Sequence, residues 1–377
     1  MGGAAVVVSE PLFLYGPLAE SSLLEAALGP KGPERAPEAT LVDHDLSAEP
    51  GALSLPGLTG GPGCVAGRVV CEALDVATLG FIGEVLGLGP LCEVTVQVTG
   101  QGRTARAFTG RPGPLTWRSD CWSEASHVIL CAAVREIVED MPHRSATDLA
   151  ATRAMILSRA AARRAARETA PADLRSPTTS AEVEDKRVET LHAGFFRSRR
   201  YHLRHPRFDG TPSAVLQREV FVATDAALVL PYDPRRDRIL LVEQFRMGPY
   251  GRGDPRPWML EPVAGRIDAG ETPEETAHRE CREEARLDLR GLERISSHYC
   301  TPGYSTEVFH LFLGLCDLPD IEAGTGGLET ENEDIRTHVI GFDRAMALLH
   351  SGEANNGPLV LSLVWLQRER ARLRASA

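Results

Sequence analysis

Glu271, Glu280, Glu283 and Glu284 stand in one short stretch, GRIDAGETPEETAHRECREEARL, running from Gly265 to Leu287. Glu280 precedes Glu283 by three residues and Glu284 by four, so on a helix the three carboxylates share one face. Bare carboxylates so placed repel one another. A hard divalent cation between them removes the repulsion, because Mg²⁺ takes oxygen ligands and keeps waters and substrate phosphates in its shell. Taken alone, a glutamate-rich helix is a solvated face. What separates the two readings is the order of the residues around it.

The helix has its own start signal. Thr272 is a capping residue, Pro273 suits the first helical position, and Glu275 closes a capping box. The spacing predicts a helix from about Pro273 to Ala285. Upstream, Trp258-Met259-Leu260-Glu261 leads into the glycine, and paired strands are expected at Phe195–Arg204 with Ser213–Val222, then at Asp225–Pro231 with Ile239–Gln244. Strands at Glu293–Tyr299 and Glu307–Cys316 follow the helix, then an acidic loop at Asp317–Asp334, a strand at Ile335–Gly341, and helices at Asp343–Ser351 and Pro358–Arg374. Strands on both sides of a carboxylate helix make a mixed sheet covered by helices.

The order Gly265, Glu271, Arg279-Glu280, Glu283-Glu284 resembles the Nudix box at six positions. It departs at Arg286, where that family has a glycine in left-handed conformation. From about Gly194 to the C-terminus the chain is similar to the ADP-ribose pyrophosphatase subgroup of Nudix hydrolases. The resemblance implies an adenine stack at Phe195 and Phe196, and an adenosine site and dimer strand at Arg218-Glu219-Val220-Phe221. It also implies a phosphate contact at Arg246 and a substrate loop over Thr301–Glu307 that includes Gly303 and Glu307. It further implies Mg²⁺ (or Mn²⁺) on Glu280 and Glu284, with Glu283 close behind and the Ala264 carbonyl as a further ligand. Arg279 would pair with Glu271 or Glu283 and orient the carboxylates. Glu331 would be the base that activates water, with Glu333 as the alternative base or a further metal ligand. The implied reaction is hydrolysis of the diphosphate of ADP-ribose or of another nucleoside diphosphate sugar, by a homodimer formed through the Nudix domain. A module that binds ADP-ribose without cleaving it is the non-enzymatic alternative.

With 377 residues, the chain is long enough for two or three domains, and its 43% hydrophobic and 25% charged residues suit ordinary globular cores. A formal net charge of -11 argues against nucleic acid and anionic membrane as partners and leaves a small phosphorylated molecule open. Eight scattered cysteines without a C-x-x-C pair predict neither a zinc site nor a disulfide framework. The opening residues lack a signal-peptide pattern, and no apolar run approaches the roughly 20 residues that span a bilayer, so a cytoplasmic protein is expected.

Residues 1–144 read as a separate unit. A buried strand is expected over Leu12–Leu18 and a helix around Ser21–Leu28. Residues 29–63, rich in Pro and Gly, read as loop with a strand near Ala39–Val42. Strands follow at Cys64–Cys71, Cys92–Val98 and Arg103–Phe108, then a helix over Trp122–Met141. Tyr15-Gly16-Pro17-Leu18, Gly67–Leu74 and the helix Leu79–Leu86 resemble the gamma-glutamylcyclotransferase-like fold, a small mixed barrel. That resemblance implies a carboxylate-binding loop at Tyr15–Leu18 and a proton-handling glutamate. Here Pro17 removes one amide donor, and the glutamate is Glu84 with a one-residue slip or Gly83 without it. A scaffold, docking or ligand-sensing role is the expected one. Residues 145–187 are expected to be an Ala/Arg-rich solvated helix and a flexible linker, and residues 188–377 the Nudix domain. The expected fold class is thus α/β (α+β): an alpha/beta/alpha sandwich with a mixed sheet after a small mixed barrel.

Overall fold

The computed structural model describes residues 10–51, 53–167, 172–318, 323–326 and 334–377. The chain divides into two compact units. The first runs through Ser198 and includes His202–Leu216 and Asp268–Gly270; the second comprises Arg199–Tyr201, Gln217–Ile267 and Glu271–Ala377.

The first unit begins with β1 (Leu12–Tyr15), α1 (Ser21–Leu28), β2 (Glu38–Ala48), β3 (Gly57–Val70), α2 (Ala73–Leu86), β4 (Leu91–Val98), β5 (Gln101–Phe108) and β6 (Leu115–Thr116). The strand order β3-β1-β5-β4-β2 closes on itself through β2–β3 pairing, giving a closed five-stranded barrel with β6 on β2. Phe13, Tyr15, Leu41, Val65, Val69, Val96 and Ala107 fill it. Within residues 29–63, the strand expected near Ala39–Val42 is present and longer, and residues 57–63 are strand rather than loop. β2 and β3 pair with a bulge where Asp43 adopts a φ of 58°. The Gly and Pro residues that suggest a loop have a packing reason: a Cβ on Gly61 would lie 1.8 Å from Asp45 Oδ2 and one on Gly63 2.0 Å from Asp45 Oδ1.

Helices α3 (Glu124–Asp140), α4 (Ala146–Ala151) and α5 (Arg153–Ala165) follow. The expected solvated connector helix is two helices built into a core. Ala146, Leu149, Ile156 and Ala160 pack with Ile129, Val134 and Ile137 of α3 and with Leu23 and Leu24 of α1. The face is hard to read from sequence because its buried set mixes Leu149, Met155 and Ile156 with small alanines and with Ser158 and Arg159. Three strands, β7 (Glu184–Ala193), β8 (Arg197–Arg204) and β9 (Leu216–Val222), form a sheet in that order.

The second unit adds β10 (Ala226–Asp233), β11 (Arg238–Phe245), α6 (Met247–Arg252), β12 (Trp258–Glu261), β13 (Val263–Arg266), α7 (Pro273–Ala285), β14 (Gly291–Tyr299), β15 (Val308–Leu315), β16 (Ala323–Gly326), β17 (Ile335–Gly341), α8 (Phe342–Ser351) and α9 (Gly357–Ala375). The mixed sheet has the order β14-β15-β10-β11-β17-β16, with β12 on β11 and β13 on β10; β10 and β15 are parallel. Alternation along the strands sends side chains to two cores. Val229, Leu240, Val242 and Phe312 meet Ala277 and Cys281 of α7. Their neighbours Leu230, Ile239, Leu241 and Leu313 meet Phe342 and Met346 of α8 and Leu359, Leu363 and Leu366 of α9. This is the expected helix–sheet–helix sandwich, and it fixes α7 on one face beside β13. Among the described residues no helix is long and apolar enough to cross a membrane.

Candidate active site

The carboxylate helix is built as its residues dictate. Thr272 Oγ1 accepts from Glu275 N at 3.2 Å while Glu275 Oε2 accepts from Thr272 N at 2.8 Å, and Pro273 takes the first turn. At the other end Arg286 caps the helix in the left-handed conformation, φ 54° and ψ 38°. The departure at this position thus changes the residue and leaves the turn in place. The apolar side of α7, Ala277 and Cys281, is fully buried, and burial raises the Cys281 thiol well above its usual range.

The opposite side meets β13. Glu284 is 1% exposed, and its Oε2 accepts from Ala264 N at 3.1 Å. The Glu280 carboxyl group lies against Gly265, where an added Cβ would sit 1.8 Å from Glu280 Oε1. Only a residue without a side chain admits this approach. Arg279 is the hub. Its Nε and Nη2 each donate to Glu271 at 2.9 Å; Nη1 donates to Glu280 Oε1 at 2.6 Å and to Glu283 Oε2 at 3.0 Å; Nη2 also reaches the Arg266 carbonyl at 3.2 Å. The alternatives Glu271 and Glu283 are both partners, and Glu280 is a third. These hydrogen bonds, Glu271 first, raise the already high pKa of the guanidinium.

Among the described residues, no three His, Cys, Asp or Glu side chains converge in an arrangement that could hold a metal ion. The reason is visible: Glu280 and Glu283 turn onto Arg279, and Glu284 onto the Ala264 amide. The donor chemistry nevertheless fits a hard cation. Glu280 and Glu284 both reach residues 264–265 of β13, and the side-chain-free surface of Gly265 forms a cradle that a Cβ would fill.

The other expected residues fall into three groups. Arg246, 40% exposed, donates through Nε to Glu261 Oε2 at 2.6 Å, a partner that the sequence reading did not identify. Arg218 Nη1 donates to the Gln217 carbonyl and Glu219 pairs with Arg200 at 2.7 Å, so both are engaged locally. The Thr301–Glu307 loop, with Gly303 in its turn, is stitched to the end of β9. Phe221 N donates to the Tyr304 carbonyl at 2.7 Å and Thr306 N to the Phe221 carbonyl at 3.1 Å. The structure therefore brings the Arg218–Phe221 strand and the Gly303 loop together. At the end of that loop, burial raises Glu307, which accepts from Cys300 Sγ at 3.1 Å.

Phe195 and Phe196 are more than half exposed, with ring centroids 5.0 Å apart and edge to face, and they belong to the first compact unit. Glu331 and Glu333 lie outside the described residues. Sequence reasoning missed Asp225. It is 9% exposed and accepts from Val308 N at 3.3 Å; burial, with the charge of Glu307, pushes its carboxyl up to about 6. Its one sequence signal was an acid at the mouth of an apolar strand. A cavity of about 1020 Å³ opens elsewhere in the second unit, lined by Glu243, Trp258, His338 and Arg344 and by no residue of α7.

The site is thus a mixed sheet between helices, with an arginine-centred glutamate helix set against a glycine strand. A family model, the NUDIX domain, matches residues 222–362. An ADP-ribose pyrophosphatase of Haemophilus influenzae is 38% identical over 197 residues, which cover 52% of this chain and 90% of that protein. One from Escherichia coli K12 is 38% identical over 51% of this chain and 91% of its own length. A GDP-mannose pyrophosphatase of Yersinia enterocolitica is 29% identical, over 50% of this chain and 96% of that protein. The chain belongs to the Nudix hydrolase family.

Proposed function

We propose that this enzyme hydrolyses the diphosphate bridge of ADP-ribose, giving AMP and ribose 5-phosphate. The observation that carries the reading is the Arg279-centred set of Glu271, Glu280 and Glu283, with Glu284 on Ala264. The 38% identity to ADP-ribose pyrophosphatases supports the choice of substrate. Glu280, Glu284, Glu283 and the Ala264 carbonyl would hold the divalent cation, with Mg²⁺ the first choice and Mn²⁺ next. When bound, the cation neutralises the diphosphate and supports an activated water.

Arg279 orients the carboxylates and keeps their charge balanced. Arg246 presents its planar fork to phosphate. Glu331 takes the proton of the attacking water, with Glu333 as second choice. Arg218, Glu219, Gly303 and Glu307 line the substrate, and Phe195 and Phe196 stack the base. A homodimer through the Nudix domain and a cytoplasmic location go with this reading, as does a gamma-glutamylcyclotransferase-like origin for the barrel.

The test is a panel of nucleoside diphosphate sugars with Mg²⁺, products being resolved chromatographically. ADP-ribose is expected to give the highest kcat/KM. The second reading, another nucleoside diphosphate sugar, is favoured by the GDP-mannose pyrophosphatase relatives and would be adopted if GDP-mannose led the panel. Glu284→Gln is expected to abolish nearly all metal-dependent turnover without loss of fold; full activity in that variant would remove the metal assignment.

A further inference from the structure

The corner Gly194–Phe196 joins β7 to β8. Along β7 and β8, which flank it, one side chain is buried, and it is Arg197, 1% exposed. Its Nη1 lies 2.8 Å from Asp140 Oδ2, and its Nη2 lies 2.8 Å from Glu139 Oε1 and donates to Thr190 Oγ1 at 3.0 Å. Glu136 Oε1 stands 3.7 Å from the same guanidinium. Glu136 is shared with Arg159 of α5, 5% exposed, whose Nε donates to it at 3.1 Å. Arg159 Nη1 then reaches the carbonyl of Phe195 at 3.4 Å, and Gly194 N closes the turn on the Phe196 carbonyl at 2.9 Å. Two buried arginines and three carboxylates from the last turns of α3 thus grip the peptide that carries the two exposed rings.

Such a socket is directional in a way that apolar packing is not. A guanidinium fork fixes orientation as well as distance, and its donors have few alternative acceptors once water is excluded. Ion pairs buried at this depth are costly to assemble, and their best-attested use is to select one arrangement. Everything in the socket belongs to the first compact unit.

We propose that α3 and α5 of this unit act as the mount for base recognition. Arg197 and Arg159 are positioning residues that set the orientation of Phe195 and Phe196, and through it the selectivity for substrates bearing a purine. The proposal rests on the reading that these rings stack the base.

The experiment uses the full chain. Steady-state kinetics with ADP-ribose, and inhibition by AMP and by ribose 5-phosphate, are measured for Arg159→Lys, Thr190→Val and Arg197→Lys. KM and the AMP inhibition constant are expected to rise together by about tenfold, within the range of weakening one base–aromatic stack. kcat should stay within about twofold, the signature of lost uniform binding, and inhibition by ribose 5-phosphate should not change. In a Phe195→Ala, Phe196→Ala background, Arg159→Lys should add no further change, which a general loosening of the fold would not reproduce. If the double phenylalanine variant keeps the parent KM and AMP affinity, the stacking role falls and takes this proposal with it. If that variant loses affinity but Arg159→Lys and Thr190→Val do not, or if they lower kcat alone, the mount is overturned while the stacking role stands. Should Arg197→Lys fail to fold, the milder pair decides.

Discussion

At Gly265 the absence of a side chain is a structural requirement. The Glu280 carboxyl group occupies the space where a Cβ would be. Gly265→Ala is expected to push Glu280 outward by an ångström or so and to lower kcat by roughly 100-fold, the usual scale for that misplacement. Circular dichroism should show the fold retained. Asp225 makes a prediction about pH. Burial raises its folded-state carboxyl to about 6, above the unfolded value of about 3.9. Its contribution to stability is therefore fully present below the unfolded value and is lost as pH rises through about 6. The size is about 3 kcal/mol at most. Denaturant midpoints from pH 4 to 7 should fall more steeply in the parent than in Asp225→Asn, and parallel curves would remove the assignment. The box residues were legible because they interact over a few positions in one helix and its lead-in. The Arg197–Asp140 pair was not, because its partners are 57 residues apart and each looks like an ordinary surface charge.

At the scale of elements, the clearest departure is the α7 cap. A non-glycine residue in the left-handed region costs on the order of 1 kcal/mol. Arg286 sits there at φ 54°, so Arg286→Gly should raise the melting temperature by about 2–4 °C, the usual scale for a unit of this size. Activity should stay near that of the parent, since Arg286 touches none of the carboxylates named above. An unchanged or lower melting temperature would mean that the side chain makes compensating contacts. The sandwich strands were readable from alternation, and α8 and α9 fall where periodicity put them. The strands expected near Ala39–Val42 and at Cys64–Cys71 are present in β2 and β3, but their extent was missed because Gly60-Gly61-Pro62-Gly63 looks like a turn while serving a bulge beneath Asp45. The burial of α4 and α5 was missed for a related reason: small alanines and the polar Ser158 and Arg159 stand among the buried residues.

At the scale of the whole molecule, neither position that the cyclotransferase resemblance offers for a proton-handling acid places one inside the first unit's core. Gly83 is packed beneath Phe108, and a Cβ there would lie 2.1 Å from the ring. Tyr15, 2% exposed, donates its hydroxyl to the Phe108 carbonyl at 2.7 Å and locks that arrangement. Glu84, the alternative, is on the exposed side of α2. The full chain is expected to release no 5-oxoproline from gamma-glutamyl peptides; release above a boiled control would restore that activity.

Closure of the barrel also sets a timetable for the newborn chain. β1 lies between β3 and β5, with Leu12 paired to Val70 on one side and Arg106 on the other. At about 5–20 residues per second, the ribosome takes about 5–20 seconds to travel from Leu12 to Arg106. Throughout that interval Leu12-Phe13-Leu14-Tyr15, all buried in the finished fold, has at least one bare edge. The earliest of the barrel's described strands is thus among the last to gain both neighbours, and those four apolar residues need shelter until it does.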